Sequence, residues 1–191
     1  MISVIMSAYN AEKTVRRAAE SILNGSYGDL ELIIADDGSR DETYKILQQI
    51  CAEDPRCICF RNETNKGLAF SLNRCLSFAR GEFIARMDAD DYSLPDRLKI
   101  QLDFLSRHRE FGFVGSAAYL IDHNEIYGIR RFPARPSSAD IIRHNPFIHP
   151  STLFRCECFE KTNGYRDTPF TRRCEDYDLF FRLYSKAILG Y

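Results

Sequence analysis

Four short apolar runs constrain this chain more than any other feature. They are Ile2 to Met6, Leu30 to Ala35, Cys57 to Phe60 and Phe83 to Met87. Each reads as a buried strand closed by a polar break. Between them lie three segments with helical spacing. Glu12 to Leu23 carries Val15, Ala18, Ala19, Ile22 and Leu23, with Asn24-Gly25 as a stop. Asp41 to Ala52 carries Tyr44, Ile46, Leu47 and Ile50, and the third segment is Leu68 to Ala79. The order β-α-β-α-β-α-β predicts parallel strands, right-handed crossovers and helices on both faces of the sheet. In such sheets the ligand crevice lies at the carboxyl ends of the strands. Tyr9 and Asn10, Asp36 and Asp37, and Asp88, Asp90 and Asp91 all follow strands at that end.

The second half is less regular. Pro95 to Ser106 predicts a helix with proline near its first turn. Phe113 to Ile121 predicts a strand, and Glu125 to Phe132 a partner for it across a turn at His123-Asn124. Pro133 to Asn145 reads as loop and a short helix, Ser151 to Phe154 as a strand, and Cys156 to Thr162 as a helical turn stopped by Asn163-Gly164. Glu175 to Ala187 predicts a last helix with Leu179, Phe180 and Leu183 inward. No repeat, low-complexity stretch or linker divides the chain, so residues 1–191 are expected to form one domain.

Composition excludes several classes. With 45% apolar and 28% charged residues and a net charge of -1, the chain has no basic excess to neutralise nucleic-acid phosphates. Seven cysteines stand at irregular spacing without a CxxC, and no histidine sits at zinc-finger spacing. They read as reduced thiols of a cytoplasmic protein. No apolar stretch reaches the ~20 residues of a membrane span. Met1 to Met6 is a strand run without a basic leader, so no signal peptide is expected. Neither GxGxxG nor GxxxxGK[ST] occurs, which argues against NAD-type dehydrogenases and P-loop kinases.

The acidic positions each carry two readings. Asp88 and Asp90 form a D-x-D at a strand end, suited to a divalent cation that also grips a diphosphate; a solvated acidic turn before a helix is the plainer reading. Asp37 can reach a ribose or base edge, while Ser39 and Asp41 are good helix caps. Tyr9 can stack on a base or pack at the sheet edge. Glu175 and Asp176 open the last helix, either as helix-start decoration or, for Asp176, as a base facing an acceptor hydroxyl. His149 offers a contact to acceptor or diphosphate, or a structural imidazole. Arg172 and Arg173 read as a solvated loop.

Taken in order, these residues resemble a family 2 glycosyltransferase of the GT-A fold, a Rossmann-like three-layer α/β/α sandwich with a mostly parallel sheet. The matching pieces are Val4-Ile5-Met6-Ser7-Ala8-Tyr9-Asn10, Ala35-Asp36-Asp37-Gly38-Ser39, Asn65-Lys66-Gly67 with Asn73, Gly81-Glu82-Phe83-Ile84 leading to Asp88-Ala89-Asp90-Asp91, Pro95-Asp96-Arg97-Leu98, and Glu175-Asp176-Tyr177-Asp178-Leu179 with Arg182. The resemblance implies a nucleotide-sugar-binding half at 1–91 and an acceptor-side half at 92–191. It implies transfer of a sugar, most often from a UDP-sugar, with inversion. Ser7, Tyr9, Asp37, Lys66, Asp88 and Asp90 then belong to the donor site, Asp90 also to a Mn2+ or Mg2+ ion, and Asp176 is the general base. His149 and Glu175 are candidates for acceptor or diphosphate contact. The implied acceptor is a saccharide or lipid-linked saccharide, and the place of work the cytoplasm, with peripheral association at the inner membrane face.

Three departures qualify that resemblance. Ser7 stands where the family often has proline. Relatives continue past the Asp176 helix, so the acceptor side is expected to be truncated. The Gln-x-x-Arg-Trp motif and spans of processive synthases are missing, and the chain has no tryptophan; this implies single-sugar addition. A non-catalytic nucleotide-sugar-binding module is the alternative, and a sugar-1-phosphate nucleotidyltransferase ranks below it for want of a Gly-rich, basic N-terminal signature.

Overall fold

The computed structural model describes residues 1–123 and 125–191. Its first half follows the predicted alternation: β1 (Ile2–Ala8), α1 (Val15–Leu23), β2 (Leu30–Asp36), α2 (Thr43–Glu53), β3 (Cys57–Arg61), α3 (Leu68–Leu76) and β4 (Phe83–Asp88). The four strands are parallel, with β1 between β2 and β4. Successive side chains of a strand point to opposite faces, and here both faces are covered. Val4, Met6, Leu32, Ile34, Ala85 and Met87 enter one core with α1 and α2. Ile5, Ile33, Ala35 and Ile84 enter a second core with α3. Burial on both sides explains why these strands read as continuous apolar runs.

The second half adds α4 (Arg97–Arg107), β5 (Phe111–Val114), β6 (Ala118–Asp122), β7 (Glu125–Arg130), α5 (Ser138–Arg143), β8 (Leu153–Arg155), α6 (Glu157–Thr162), α7 (Glu175–Ser185) and β9 (Leu189–Gly190). The main sheet runs β3-β2-β1-β4-β8-β5-β9, with β8 antiparallel to both neighbours. The helix α4 joins the first core, and α6 and α7 the second. In this sheet β2 lies on one side of β1 and β4 on the other. The chain order reverses there, and that is where a crevice opens at the strand ends.

Several expected boundaries move, for identifiable reasons. The first helix starts at Val15 instead of Glu12, because the backbone N–H groups before it are taken. Asn10 N–H donates to Ser39 Oγ (2.9 Å), Ala11 N–H to Thr43 Oγ1 (2.7 Å) and Glu12 N–H to Asp41 Oδ2 (3.1 Å). Ser39 therefore joins two loops instead of capping α2. The fourth helix begins after Pro95, whose carbonyl accepts from Ser26 N–H. The expected strand 113–121 is two strands in different sheets. Gly115 N–H donates to the Tyr191 carbonyl and Ser116 N–H to Ser151 Oγ, which turns the chain out of the main sheet. The second piece, β6, pairs with β7 as expected; Asn124 of the expected turn lies outside the described residues. A 3-10 turn at His149–Ser151 delays β8 to Leu153, and α7 stops at Ser185, two residues before Ala187 takes a left-handed backbone (φ 58°).

Candidate active site

The crevice is built from the ends of β1, β2 and β4. Ser7, half-buried, lies between Ala35 of β2 and Asp88 of β4 in the strand register. Tyr9 follows at 46% exposure, so its ring faces solvent and is free to stack. Asp37 is buried and saturated by a neighbouring loop. Its Oδ1 accepts from Asn62 Nδ2 and Lys66 N–H, and its Oδ2 from Gly67 N–H, each at 2.8 Å. Gly38 makes this packing feasible: at φ 75° a Cβ would stand 2.7 Å from the Thr64 backbone, a conformation and a space that suit glycine alone. Asp37 thus fixes the 62–67 loop at the crevice wall, and Lys66 presents an exposed side chain beside it. Asp36 is fully buried and structural, paired with Arg61 Nε at 3.0 Å.

At the end of β4 the acidic residues separate by role. Asp88 is one-third exposed and accepts from Arg86 Nη2 at 2.5 Å. Asp90 is exposed, and its carboxylate has no hydrogen bond among the described residues. Burial of the carboxyl, then repulsion from Asp88 and Asp90, pushes the pKa of Asp91 up. Arg97 lies beneath them. Burial pulls its pKa down to about 10 while Asp91 pulls it back up. Among the described residues no group of three His, Cys, Asp or Glu side chains is arranged to hold a metal. The donor set still suits a hard cation of the Mg2+ or Mn2+ kind, which is commonly held by one or two carboxylates and completed by phosphate oxygens and water. Among the described residues the Asp90 and Asp91 carboxylates have no hydrogen-bond partner, whereas Asp88 is already engaged; of the two, burial and its neighbours push the Asp91 carboxyl toward the neutral form.

The second half brings Glu175 and Asp176 to the same region from α7. Asp176 Oδ2 accepts from Asn145 Nδ2 at 2.8 Å. Glu175 lines a cavity of about 550 Å³ between the 65–69 loop and the 166–173 loop, together with Lys66, Arg172 and Arg173. Both arginines are exposed, as the solvated-loop reading expects. His149 goes elsewhere. It is 6% exposed, and its Nε2 is 2.8 Å from the Tyr165 hydroxyl. Burial, with the nearby Arg86 charge, holds it well below its usual pKa, so it is a neutral interior imidazole and not a surface contact. Tyr165 links the two halves. Burial raises its pKa, Arg86 opposes that, and the charges of Asp176, Asp88 and Glu175 raise it further. Carboxylates from β4 and from α7 therefore act electrostatically on the same buried phenol. Sequence reasoning missed Tyr165, Asn145 and Asn62. It also passed over Arg86, although a lone arginine between Ala85 and Met87 in an apolar run was a readable signal.

Comparison with known proteins gives the family and the fold. Residues 3–173 match the sequence profile of Glycosyl transferase family 2. Across all 191 residues the chain is 41% identical to EpsE of Bacillus subtilis, named as a glycosyltransferase, and spans 69% of it. It is 31% identical over 188 residues to the Escherichia coli UDP-Glc:alpha-D-GlcNAc-diphosphoundecaprenol beta-1,3-glucosyltransferase WfaP, covering 98% of this chain and 72% of that one. Two solved structures share the fold. Staphylococcus aureus TarS 1-349 in complex with UDP gives a TM-score of 0.78 at 21% identity. The mannosyltransferase PcManGT from Pyrobaculum calidifontis, in complex with GDP-Man and Mn2+, gives 0.79 at 19%. All or nearly all of this chain is covered in both, but it spans only 57% and 53% of those chains. The fold is GT-A, and the chain belongs to glycosyl transferase family 2.

Proposed function

We propose that this chain transfers a sugar from a nucleotide-sugar, with UDP as the nucleotide, to a hydroxyl of a glycan or lipid-linked acceptor, inverting the anomeric carbon in one displacement. The observation that carries this reading is the placement of Ser7, Asp37 and Asp88 at the ends of three adjacent strands, with Glu175 at the start of α7 lining the same cavity as Lys66. It sets the acids of the donor side near the helix that carries the candidate base of the acceptor side. The UDP in the TarS structure and the UDP-Glc in the WfaP name support the choice of nucleotide, and the diphosphoundecaprenol in that name supports a lipid-linked acceptor.

In this mechanism Tyr9 stacks on the base, and Ser7, Asp37 and Lys66 complete the nucleotide wall. Asp88 receives a ribose hydroxyl. Asn145 holds one oxygen of Asp176, which orients the other toward the acceptor. Asp176 takes the hydroxyl proton as that oxygen bonds to the anomeric carbon. The bond from that carbon to the diphosphate breaks, and the nucleoside diphosphate leaves with the electron pair. A Mn2+ or Mg2+ ion held at Asp90 supplies charge neutralisation at the leaving diphosphate. Residues 1–91 thus serve the donor and residues 92–191 the acceptor. No described helix is long and apolar enough to cross a membrane, and we place the enzyme in the cytoplasm, meeting a lipid-linked acceptor at the inner membrane face.

Calorimetric titration of UDP with and without Mn2+, on wild type and Asp90→Ala, tests the donor side. Binding that is metal-dependent and lost in the variant is expected. Asp176→Asn should keep that binding and lower turnover about 10²- to 10⁴-fold. UDP binding without transfer to any saccharide acceptor would favour the binding-module reading instead.

A further inference from the structure

Arg86 is the least expected residue of the molecule. It sits inside β4, where its backbone N–H donates to the Thr152 carbonyl, and it is 1% exposed. Among the described residues its guanidinium makes one hydrogen bond, to Asp88 Oδ1, while Nε and Nη1 are buried without a partner. A buried charge is tolerated when it is paired and fully hydrogen-bonded. A half-satisfied pair adds little to stability, and apolar side chains of like volume in place of both partners commonly serve the fold as well or better. The residue therefore needs a reason other than the core.

The neighbours supply one. Three carboxylates, Asp88, Asp90 and Asp91, follow within five residues. Two arginines stand behind them, Arg86 buried and Arg97 partly buried, and they do different things. Arg97 donates to backbone and hydroxyl oxygens, namely Pro150 O (3.0 Å), Arg86 O (3.3 Å) and Ser93 Oγ (2.9 Å). Arg86 alone grips a carboxylate. It holds Oδ1 of Asp88, and Oδ2 has no protein partner among the described residues.

Building on the donor site proposed above, we infer that Arg86 is a positioning residue: it presents the free oxygen of Asp88 to the nucleotide-sugar and reserves metal binding for Asp90. The guanidinium is a fixed internal countercharge, so Asp88 needs no cation to stay ordered. Its second carboxylate oxygen is then an acceptor for a hydroxyl and not a second metal ligand.

The test is a thermodynamic cycle on UDP affinity, read by calorimetry in saturating Mn2+ on the whole chain. Wild type, Arg86→Met, Asp88→Asn and the double variant are compared, with melting temperature followed in parallel. Each single variant should bind UDP about ten-fold more weakly. The double should lose no more than Asp88→Asn alone, because Arg86 acts only through Asp88. Melting of the double variant Arg86→Met/Asp88→Asn, which removes both charges, should stay near or above that of wild type, and the affinity of Arg86→Met for Mn2+ should hold. Losses that multiply in the double, or an Arg86→Met that binds UDP as wild type does, would overturn the inference. Should Arg86→Met not fold, Arg86→Lys carries the same cycle, since it keeps the charge and loses the planar fork. A wild type that binds no nucleoside diphosphate would sink the donor reading, and this inference with it; binding with multiplying losses would sink the inference alone.

Discussion

The two halves of this sheet are held by different means. In the donor-side half, β1, β2, β3 and β4 lie in register, strand to strand, and the side chains of β1 and β2 are mostly Ile, Val, Leu and Ala. Backbone ladders carry the hydrogen bonds, and small apolar residues fill both faces. In the acceptor-side half the strands are short, and long side chains do the joining. Gln101 Nε2 donates to Ser151 O (2.6 Å), Arg155 to the carbonyls of Leu105 (2.6 Å) and Phe111 (3.1 Å), and Arg182 to those of Thr162 (2.6 Å) and Gly164 (2.9 Å). The core there is a stack of rings, with Phe113 within 5.3 Å, centroid to centroid, of Phe147, Phe154 and Phe180. A ladder is tolerant of which apolar residue occupies a place. A stack and a set of side-chain staples are not.

That contrast predicts unequal costs. The largest is expected at the ring stack, where Phe113→Ala should destabilise by about 3–5 kcal/mol, against about 0.5–1.5 kcal/mol for Ile33→Val in the ladder half. Urea denaturation of both variants checks it, and similar midpoints would erase the distinction. Next comes Arg182→Met. It strands the Thr162 and Gly164 carbonyls and removes one partner of Asp178, at about 2–3 kcal/mol. Its counterpart is Arg16, which pairs with Glu20 and Glu53 on the surface of the donor half. Arg16→Met should leave the melting temperature unchanged, because exposed pairs contribute little.

The same difference decides what could be read from the sequence. Periodicity reports ladders and amphipathic helices, so the first four strands and three helices were legible, as was the end of the sheet at which Tyr9, Asp37 and Asp88 would gather. It does not report staples. The break at Gly115 and Ser116 depends on Tyr191 and Ser151, 76 and 35 residues away in the chain, and no local pattern encodes it. The interior place of His149 depends on Tyr165 in the same way. Asp37 was legible as a site residue, but its bonds to Asn62, Lys66 and Gly67 were not, since they join two loops across 25 to 30 residues. Arg86 lay in plain view inside a motif noticed for its acids.

A buried glutamate inside the ladder of the donor half departs from that half's pattern and sharpens the comparison. Glu31 on β2 is 3% exposed, and it is a staple in a region of ladders. It accepts from Ser3 Oγ (2.6 Å), Arg80 N–H (2.8 Å) and the Arg80 guanidinium (2.7 Å), tying β1 and β2 to the turn before β4. Burial alone would raise its pKa. The hydrogen bonds from Ser3 and Arg80 outweigh that and hold it below the ordinary glutamate value. A carboxyl whose pKa is lower folded than unfolded contributes stability above the unfolded value, near ~4.3, and loses it as pH falls through the folded one. Glu31→Gln should therefore cost about 1 kcal/mol at neutral pH and almost nothing below the folded pKa. Unfolding free energies of the two proteins, measured from neutral to strongly acid solution, should converge as the pH drops. A constant gap at every pH would mean that the shape of the side chain, and not its charge, holds the two strands to that turn.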